Sequence, residues 1–316
     1  MTAILIQPSL YKRLDTVFIL QEQIMQKSVL SVFLLTIILV TASGVGASTL
    51  EPQALPGFLM GSSADYYRSI IDYITGNWQG YGQLFTLLQG QWFWKIFLAV
   101  ISVVPGVYVL HYLIIGAQYF DHEGEQIYFF TVLNRIVHLI AAISFTLLVI
   151  SGLLMVLGSF LGGGVFIRTA RSVHLVSAMV FVVPCCCMFI MWFKDMLPRF
   201  YDISWIFMLG GYLTREKKAV PAGKFNGGQK VYYWFVTLGG GVMAYTGYII
   251  WGFGADLDTI RLYTIIHNIL GAAIVAFYLT HVYMSVFAIA GSLQSMKTGY
   301  KSKDEVDILH SRFNYS

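Results

Sequence analysis

Residues 267–281 read HNILGAAIVAFYLTH, and the two histidines that bound this stretch are separated by almost wholly apolar residues. The stretch lies inside a longer apolar segment, 262–290, which as a helix is long enough to cross a bilayer core of about 30 Å. An ionisable side chain inside a membrane is costly and by default indicates a function. Two histidines on one such helix therefore indicate that it binds something.

The composition of the whole chain is that of a membrane protein. Of its 316 residues, 57% are hydrophobic and 11% are charged, and the mean hydropathy is +0.68. A soluble domain carries about 25% charged residues. We predict an all-α integral membrane fold, with a four-helix transmembrane bundle and one additional N-terminal transmembrane helix. The predicted crossings are 92–117, 131–158, 173–193, 231–253 and 262–290.

The amino-terminal region has the pattern of a secretory signal peptide. From Met25 the chain has a short basic start, an apolar stretch of about a dozen residues, and small residues that include Val45 and Ala47. We expect translation to begin at Met25 and the mature chain to begin near Ser48. An uncleaved anchor helix is the alternative. The predicted organisation is an extension and signal peptide (1–47), a periplasmic segment (48–91), an additional crossing (92–117), a four-helix domain (118–290) and a cytoplasmic tail (291–316).

Basic residues predict the orientation in a bacterial inner membrane. Loop 194–230 holds seven Lys and Arg residues and the tail holds four, whereas the opposite side has only Arg68, Arg168, Arg171 and Arg261. Because basic loops stay in the cytoplasm, the loop and the C-terminus are predicted to be cytoplasmic. Segment 48–91 is then periplasmic, as the signal peptide independently requires.

Five of the seven histidines lie in predicted membrane segments. His122 and His310 are in polar loop or tail, whereas His111, His138, His174, His267 and His281 are not. On a helix, 14 residues turn through about 1400°, so His267 and His281 share a face and lie about 21 Å apart along the axis. His138 is close to the cytoplasmic start of its segment, and His174 opens its segment at the outer side.

These depths predict two histidine pairs, His138 with His281 and His174 with His267. Two imidazoles from different helices at one depth are what axial ligation of a b-type haem iron requires. We therefore predict a haem-binding bundle with two haems about 20 Å apart. The alternative for each histidine is a packed side chain bonded to a neighbouring carbonyl, and we assign that role to His111.

Small and basic residues near the histidines have two interpretations each. Gly152, the glycines at 239–241 and Gly247 could give a macrocycle room, or could allow close helix packing. Arg135 and Arg171 each precede a histidine by three residues, so they could pair with a haem propionate or anchor lipid headgroups.

The three cysteines, Cys185, Cys186 and Cys187, are adjacent in an apolar run and are interpreted as small apolar side chains. The absence of C-x-x-C and C-x-x-C-H from the sequence argues against an iron–sulfur cluster and against covalently attached c-type haem.

Residues 125–300 resemble the cytochrome b (gamma) subunit of membrane-bound formate dehydrogenase. The motifs that carry the resemblance are NRIVHLIAAISFTLLVISGL (134–153), RSVHLVSAMVF (171–181), WFKDMLPRFYDISWI (192–206) with VPAGKFNGGQKVYYW (220–234), and the last helix with its exit (265–299). Leu139 stands where members of that family often have Trp. The signal peptide, outer segment and first crossing match longer variants of the family.

The resemblance implies the same two haem-ligand pairs, and it implies a menaquinone or ubiquinone site at Asn226, Gly228 and Gln229 beside the inner haem. It also implies an iron–sulfur beta subunit and a molybdenum or tungsten catalytic alpha subunit as partners, because formate oxidation itself has no site in this chain. The alternatives are the cytochrome b of a membrane-bound nickel–iron hydrogenase or of another molybdoenzyme and, from another class, a haem-free transporter or anchor.

Overall fold

The computed structural model describes residues 80–121, 124–252 and 255–315. The predicted signal peptide and most of segment 48–91 lie outside these residues.

The described part of the chain is built from long helices. In chain order the elements are α1 (Gly82–Ile114), β1 (Gln126–Tyr128), α2 (Val132–Val156), α3 (Gly164–Trp192), α4 (Phe200–Phe207), α5 (Gly227–Gly252), α6 (Leu257–Val286), α7 (Gln294–Thr298), β2 (Tyr300–Ser302) and α8 (Lys303–Leu309). A π-helical turn, Leu88–Trp92, interrupts α1, and a short 3₁₀ turn, Leu209–Gly211, follows α4.

Four of the described helices, α1, α2, α3 and α6, are long and apolar enough to cross a membrane. The fifth long helix, α5, has 26 residues and so a length of about 39 Å. Its start is polar, with Gln229 and Lys230, and it is not one of the four helices that meet the criteria for a membrane span. The chain is a multi-pass, all-α membrane protein, as the sequence predicts.

Two helices begin about ten residues earlier than the sequence predicts, whereas α5 and α6 begin only four or five residues earlier. Helix α1 begins at Gly82 rather than at 92, and its first turns are held against α6, where the Asn268 side-chain amide donates to Gln89 Oε1 at 3.1 Å. Helix α3 begins at Gly164 rather than at 173. It follows glycines with left-handed backbone, including Gly163 at φ 64°, which reverse the chain in a short turn.

Side-chain caps fix the starts of α2 and α6, two of the three helices that carry the predicted haem-ligand histidines. The Thr131 hydroxyl accepts from the backbone N–H of Asn134 at the start of α2. The Asp256 carboxylate accepts from the backbone N–H of Thr259 at the start of α6, and hydrogen bonds from Thr259 lower the pKa of Asp256. Such caps satisfy N–H groups that have no partner inside the helix.

Helix α2 packs along α3, and α5 packs along α6, with α1 against the outside of α6. Aromatic and aliphatic side chains from these helices form the core, among them Phe145, Phe181 and Ile274. Large apolar side chains also cover the outside of the bundle, for example Val103, Leu113 and Ile190. An apolar exterior suits a lipid environment.

The two ends of the bundle differ. At one end, called here the turn end, lie the short connection 157–163 and residues 255–256. At the other, the tail end, lie residues 115–130, 193–226 and 287–315. There β1 pairs antiparallel with β2, so that Gln126 is opposite Ser302. This two-stranded pairing joins the predicted loop 118–130 to the tail, which the sequence alone did not predict.

Candidate functional site: two histidine pairs

The four predicted histidines meet in two pairs. The ring centroids of His174 and His267 lie 6.3 Å apart with planes at 64°, and those of His138 and His281 lie 6.3 Å apart with planes at 56°. His174 and His267 each stand ten residues into their helices, on α3 and α6. His138 and His281 lie near the tail end, on α2 and α6. The structure thus brings together the pairs that the sequence predicts.

The separation within each pair fits one metal ion between two imidazoles. Metal–nitrogen bonds to histidine are about 2 Å long, so two rings on opposite sides of an ion have centroids about 6 Å apart. Within the described residues, no cluster of three or more His, Cys, Asp or Glu side chains could hold a metal ion. Two axial nitrogens alone suit an ion whose equatorial positions are filled by a macrocycle.

Hydroxyl groups on neighbouring helices hold the pair nearer the turn end. Nδ1 of His174 is 3.0 Å from the Ser151 hydroxyl and 3.1 Å from the Leu148 carbonyl oxygen. Nδ1 of His267 is 2.8 Å from the Thr246 hydroxyl. Each hydroxyl can also donate to a backbone carbonyl of its own helix. Thr246 donates to the Val242 carbonyl at 2.8 Å, and Ser151 donates to the Leu147 carbonyl. A hydroxyl that donates its proton in this way accepts from the imidazole, which leaves Nε2 free to bind a metal.

A glycine follows each of these hydroxyl residues and makes room for the same imidazole. A Cβ atom at Gly152 would lie 3.4 Å from the His174 ring, and one at Gly247 would lie 3.4 Å from the His267 ring. The sequence left open whether Gly152 and Gly247 give a macrocycle room or allow close helix packing. Ser151-Gly152 on α2 and Thr246-Gly247 on α5 thus form matching glycine cradles, in which the hydroxyl bonds the imidazole and the glycine leaves room for it. The sequence analysis did not identify the hydroxyl residues of these two dipeptides.

Aromatic rings surround the pair nearer the tail end. The Tyr232 ring stacks on His281, with centroids 4.4 Å apart and planes at 4°. The Trp192 ring lies 6.5 Å from that of His138. A ring stacked face to face on an imidazole restricts its rotation, so Tyr232 fixes the orientation of His281. Sequence reasoning missed this tyrosine.

A layer of side chains separates the two pairs. Phe145 on α2 lies 5.0 Å from Phe181 on α3 and 5.5 Å from Tyr278 on α6, measured between ring centroids. The hydroxyls of Tyr278 and Thr146 are 2.8 Å apart, which ties α6 to α2 at this depth. The space between the pairs is therefore packed with protein.

Buried donors without partners lie on the helices that bear the histidines. Among the described residues, Nε and Nη2 of Arg261 are buried without a hydrogen-bond partner, as are Nε of Arg135 and Nε1 of Trp192. Buried polar groups in native proteins normally have partners, so these donors favour an acidic or polar ligand group beside them. The sequence offered this role for Arg135 as one of two interpretations, beside headgroup anchoring, and it missed Arg261.

The two predicted propionate partners, Arg135 and Arg171, have different surroundings. Arg135 Nη1 donates to the carbonyl of Lys297 and so ties α2 to the tail. The Arg171 guanidinium lies 4.6 Å from the centroid of the Trp251 ring. Arg135 keeps an unpaired nitrogen for a ligand, whereas the described contact of Arg171 is to an aromatic face.

The predicted quinone residues form the start of α5. The Asn226 side chain accepts from the backbone N–H of Gln229 at 2.9 Å, and the Gln229 side chain accepts from the backbone N–H of Asn226 at 2.9 Å. This reciprocal pair is a capping box. A Cβ at Gly228 would lie 2.6 Å from the Trp205 ring, so this glycine is also needed for packing. The two side-chain amide NH₂ groups remain as donors.

His111 has a structural set of partners, as predicted. Its Nδ1 is 2.6 Å from the Tyr283 hydroxyl and its Nε2 is 2.8 Å from the Tyr212 carbonyl oxygen. The three cysteines are free, and Cys185 packs against the core. These residues lie outside the two pairs.

The residues present fit two b-type haems. The pair separation, the fixed Nδ1 atoms of His174 and His267, the glycine cradles and the unpaired buried donors each meet a requirement of a bis-histidine haem. A helical membrane bundle with such histidine pairs defines the class of membrane cytochromes b. A family model described as prokaryotic cytochrome b561 matches residues 130–299, more than half of the chain, and the chain belongs to this family.

Curated relatives narrow the comparison to one kind of subunit. The chain is 28% identical over 151 residues to the formate dehydrogenase, nitrate-inducible, cytochrome b556(Fdn) subunits of Escherichia coli K12, Escherichia coli O157:H7 and Shigella flexneri. The match covers 46% of this chain and 69% of each relative. The protein is a cytochrome b561-type membrane subunit related to the formate dehydrogenase cytochrome b, and family membership implies b-type haem.

Proposed function

We propose that the chain is the di-haem cytochrome b subunit of a formate dehydrogenase. In this proposal it passes electrons from a periplasmic iron–sulfur subunit across the membrane to quinone near the cytoplasmic face. The observation that carries the proposal is the presence of two histidine pairs, each at 6.3 Å, in a chain of the cytochrome b561 family. When bound, each haem supplies a one-electron redox centre.

The chain's own residues would position the two centres. His174 and His267 would hold the outer haem, and His138 and His281 the inner one. Ser151 and Thr246 orient the outer imidazoles, and Tyr232 orients His281. The 14-residue spacing on α6 would set the two levels about 21 Å apart along the helix axis, with the packed layer between them.

Quinone reduction is proposed at the tail end beside the inner pair. Reduction of one quinone to quinol consumes two electrons from the donor and two protons, which we assign to the cytoplasm. The amide donors of Asn226 and Gln229 can bond the quinone oxygens, and Gln229 stands three residues before Tyr232 on α5, on the same side of the helix. Each electron moved inward is worth about 2.3 kcal/mol per 100 mV of membrane potential.

The partners are proposed from the related subunits, whose name assigns them to formate dehydrogenase. The chain would dock an iron–sulfur beta subunit and, through it, a molybdenum or tungsten alpha subunit at the periplasmic side. Co-purification of a formate-oxidising, molybdopterin-containing chain supports this assignment. Co-purification of hydrogenase subunits instead would contradict it.

The haem count tests the proposal directly. The purified chain is expected to contain two haems per protein, with a b-type α-band after reduction. Because each pair needs both of its imidazoles, His138→Ala and His267→Ala are each expected to lower the ratio to one. Haem is measured by the pyridine haemochrome spectrum against protein from amino-acid analysis.

A matched control is His111→Ala, which removes a membrane histidine that belongs to neither pair and is expected to keep both haems. A wild-type protein without an α-band would refute the cytochrome function. Retention of both haems in His138→Ala or His267→Ala would refute the pairing.

A further inference from the structure

A groove on the outside of the bundle runs between α4 and α5. Its volume is about 930 Å³, within the usual range for small-molecule sites. On α5 the lining extends from Gly227 to Val242, which is about 22 Å along the helix axis. One leaflet contributes roughly 15 Å to the hydrocarbon core of a bilayer. The groove therefore begins at the tail end and is long enough to follow an acyl chain through one leaflet.

The walls of the groove are apolar and open to the outside of the bundle. Val231 and Leu238 on α5 and Ile203 on α4 line it and are exposed. Lys230 and Asp202 also line it, but they are buried and paired with each other at 2.8 Å. Over most of its length, the groove thus offers a ligand apolar surface alone.

An exposed cation lies at the tail end of the groove. Arg199 lines the groove directly before α4, and in the part of the chain that the structure describes its guanidinium has no ion pair. The surrounding segment, 194–230, holds seven basic and three acidic residues. A positive charge at the end of an apolar channel complements an amphiphile with an anionic head.

Helix α4 has the pattern of a helix that lies in the membrane surface. Phe200, Ile203 and Phe207 share one face and are exposed, Phe200 to 95% and Phe207 to 86%. Asp202 and Trp205 on the other face are buried. An amphipathic helix with an apolar outer face lies at the boundary between headgroups and acyl chains. Arg199 is thereby placed at the depth of lipid phosphates.

The groove faces away from the inner histidine pair. Lys230 and Trp234 line it, whereas Tyr232 is rotated by about 200° from each of them around α5. Tyr232 stacks on His281. Gln229, which we propose for quinone binding, is not among the lining residues. A ligand in the groove is therefore separate from the proposed quinone site.

We propose that the groove binds one anionic phospholipid of the leaflet at the tail end, with the phosphate on the Arg199 guanidinium and an acyl chain along α5. Arginine binds phosphate through paired N–H groups. The excess of basic residues in 194–230 favours a lipid with net negative charge over a zwitterionic one. A quinone is neutral and gives Arg199 no counter-charge, and an apolar helix of another chain gives it none either.

The test measures the binding of phosphatidylglycerol and of phosphatidylcholine to the purified full-length protein by native mass spectrometry. We expect the wild type to bind its first phosphatidylglycerol more tightly than its first phosphatidylcholine. Arg199→Gln is expected to raise the Kd for phosphatidylglycerol about tenfold, the effect of losing a hydrogen bond to a charged group, and to reduce the preference between the two lipids. Since Arg199 is exposed, the change should leave the fold intact, which size-exclusion chromatography checks.

The control for Arg199→Gln is Lys218→Gln, which removes one exposed positive charge of the same loop at a residue that does not line the groove. Its lipid binding should equal that of the wild type.

A second variant, Leu238→Trp, fills the groove from its open side and leaves Arg199 in place. We expect it to weaken the binding of phosphatidylglycerol by a similar factor. Val103→Trp is the matched control, since Val103 on α1 is 61% exposed and Leu238 is 60% exposed. Its lipid binding should be unchanged.

The readout needs neither haem nor quinol, so it stands apart from the test of the proposed function. Equal binding of the two lipids by the wild type, with no change in Arg199→Gln, would refute the headgroup site. Unchanged binding in Leu238→Trp would refute the groove. Displacement of the bound phosphatidylglycerol by one equivalent of menaquinone-2 would show a quinone site instead. Its displacement by a co-purified partner subunit would show that a helix of the partner fills the groove, and either displacement overturns the proposal.

Discussion

At the scale of single residues, the hydroxyls of Ser151 and Thr246 are the most informative side chains near the histidines. Each accepts a hydrogen bond from Nδ1 of an imidazole and donates its own O–H to a backbone carbonyl of its helix. A hydrogen bond at Nδ1 makes a metal-bound imidazole more basic. More basic ligands stabilise the ferric state, so these hydroxyls would lower the reduction potential of a haem held by His174 and His267.

Removing one of these bonds should therefore raise that potential. For Thr246→Val we expect the reduction potential of the outer haem to rise by about 40 mV. A net hydrogen bond contributes about 1 kcal/mol, which equals about 40 mV for a one-electron couple. The inner haem should be unchanged. The measurement is a spectroscopic redox titration of the purified protein.

The matched control for this change is Thr237→Val on the same helix. Among the described residues, the Thr237 hydroxyl has hydrogen bonds only to carbonyls of its own helix, those of Tyr233 and Trp234. The reduction potentials of both haems should be unchanged in that variant. A shift in Thr237→Val equal to that in Thr246→Val would show that the effect is not due to the imidazole bond.

The sequence predicts ligands better than the residues that orient them. The histidines were identifiable because an ionisable residue in an apolar segment is rare and because the 14-residue spacing fixes a shared face. Ser151 and Thr246 could not be identified in the same way, since a hydroxyl in a membrane helix can also bond its own backbone. Only the approach of α3 to α2 and of α6 to α5 shows which hydroxyls meet an imidazole.

At the scale of elements, the tail is a folded part of the molecule. Ser302 caps α8 by accepting from the backbone N–H of Glu305, and Glu305 is buried and paired with Lys301. His310, placed by the sequence in a polar tail, is also buried, and its Nδ1 donates to the Gly223 carbonyl at 2.8 Å. The tail thereby packs against the loop that leads to Asn226.

Burial and the nearby Lys301 lower the pKa of His310 from its usual value near 6.5 to about 3. Between these values a released tail binds a proton and the docked tail does not, so docking loses stability as the pH falls below 6.5. From pH 7 to pH 5 we expect a loss of about 2 kcal/mol. Hydrogen exchange at residues 303–313, corrected for the intrinsic pH dependence, measures it.

The control is His310→Gln, whose side chain can still donate to Gly223 but does not titrate. Its tail should exchange with the same protection at pH 7 and pH 5. If wild type and variant lose protection equally on acidification, another group causes the pH dependence.

The sequence predicted the helices more reliably than their boundaries. Hydropathy identified the five segments because an apolar run of about 20 residues is rare outside membrane-spanning helices. It placed the starts of α1 and α3 about ten residues late, since Gln89, Arg168 and Arg171 lower the local hydropathy although they lie within helices. The pairing of β1 with β2 joins segments about 175 residues apart, and no local pattern records that contact.

At the scale of the whole molecule, the direction of electron transfer depends on which end faces the cytoplasm. The tail end carries the basic loop 194–230 and the basic tail, and the pair His138 and His281 lies near it. If this end is cytoplasmic, electrons that enter at the turn end move inward and protons for quinol come from inside. One charge is then separated across the membrane per electron, and the proton uptake makes the cytoplasmic side more alkaline.

Cysteine labelling in spheroplasts tests this orientation, after Cys185, Cys186 and Cys187 are each replaced by alanine. Leu161→Cys marks the exposed connection at the turn end, and Glu216→Cys marks the exposed loop at the tail end. Because basic loops stay inside, a membrane-impermeant maleimide should label position 161 in intact spheroplasts, and position 216 only after permeabilisation. Labelling of position 216 alone in intact spheroplasts would show that the chain has the opposite orientation in the membrane. The direction of electron transfer would then be the reverse of the one proposed. Labelling of both sites after permeabilisation is the control that each cysteine is reactive.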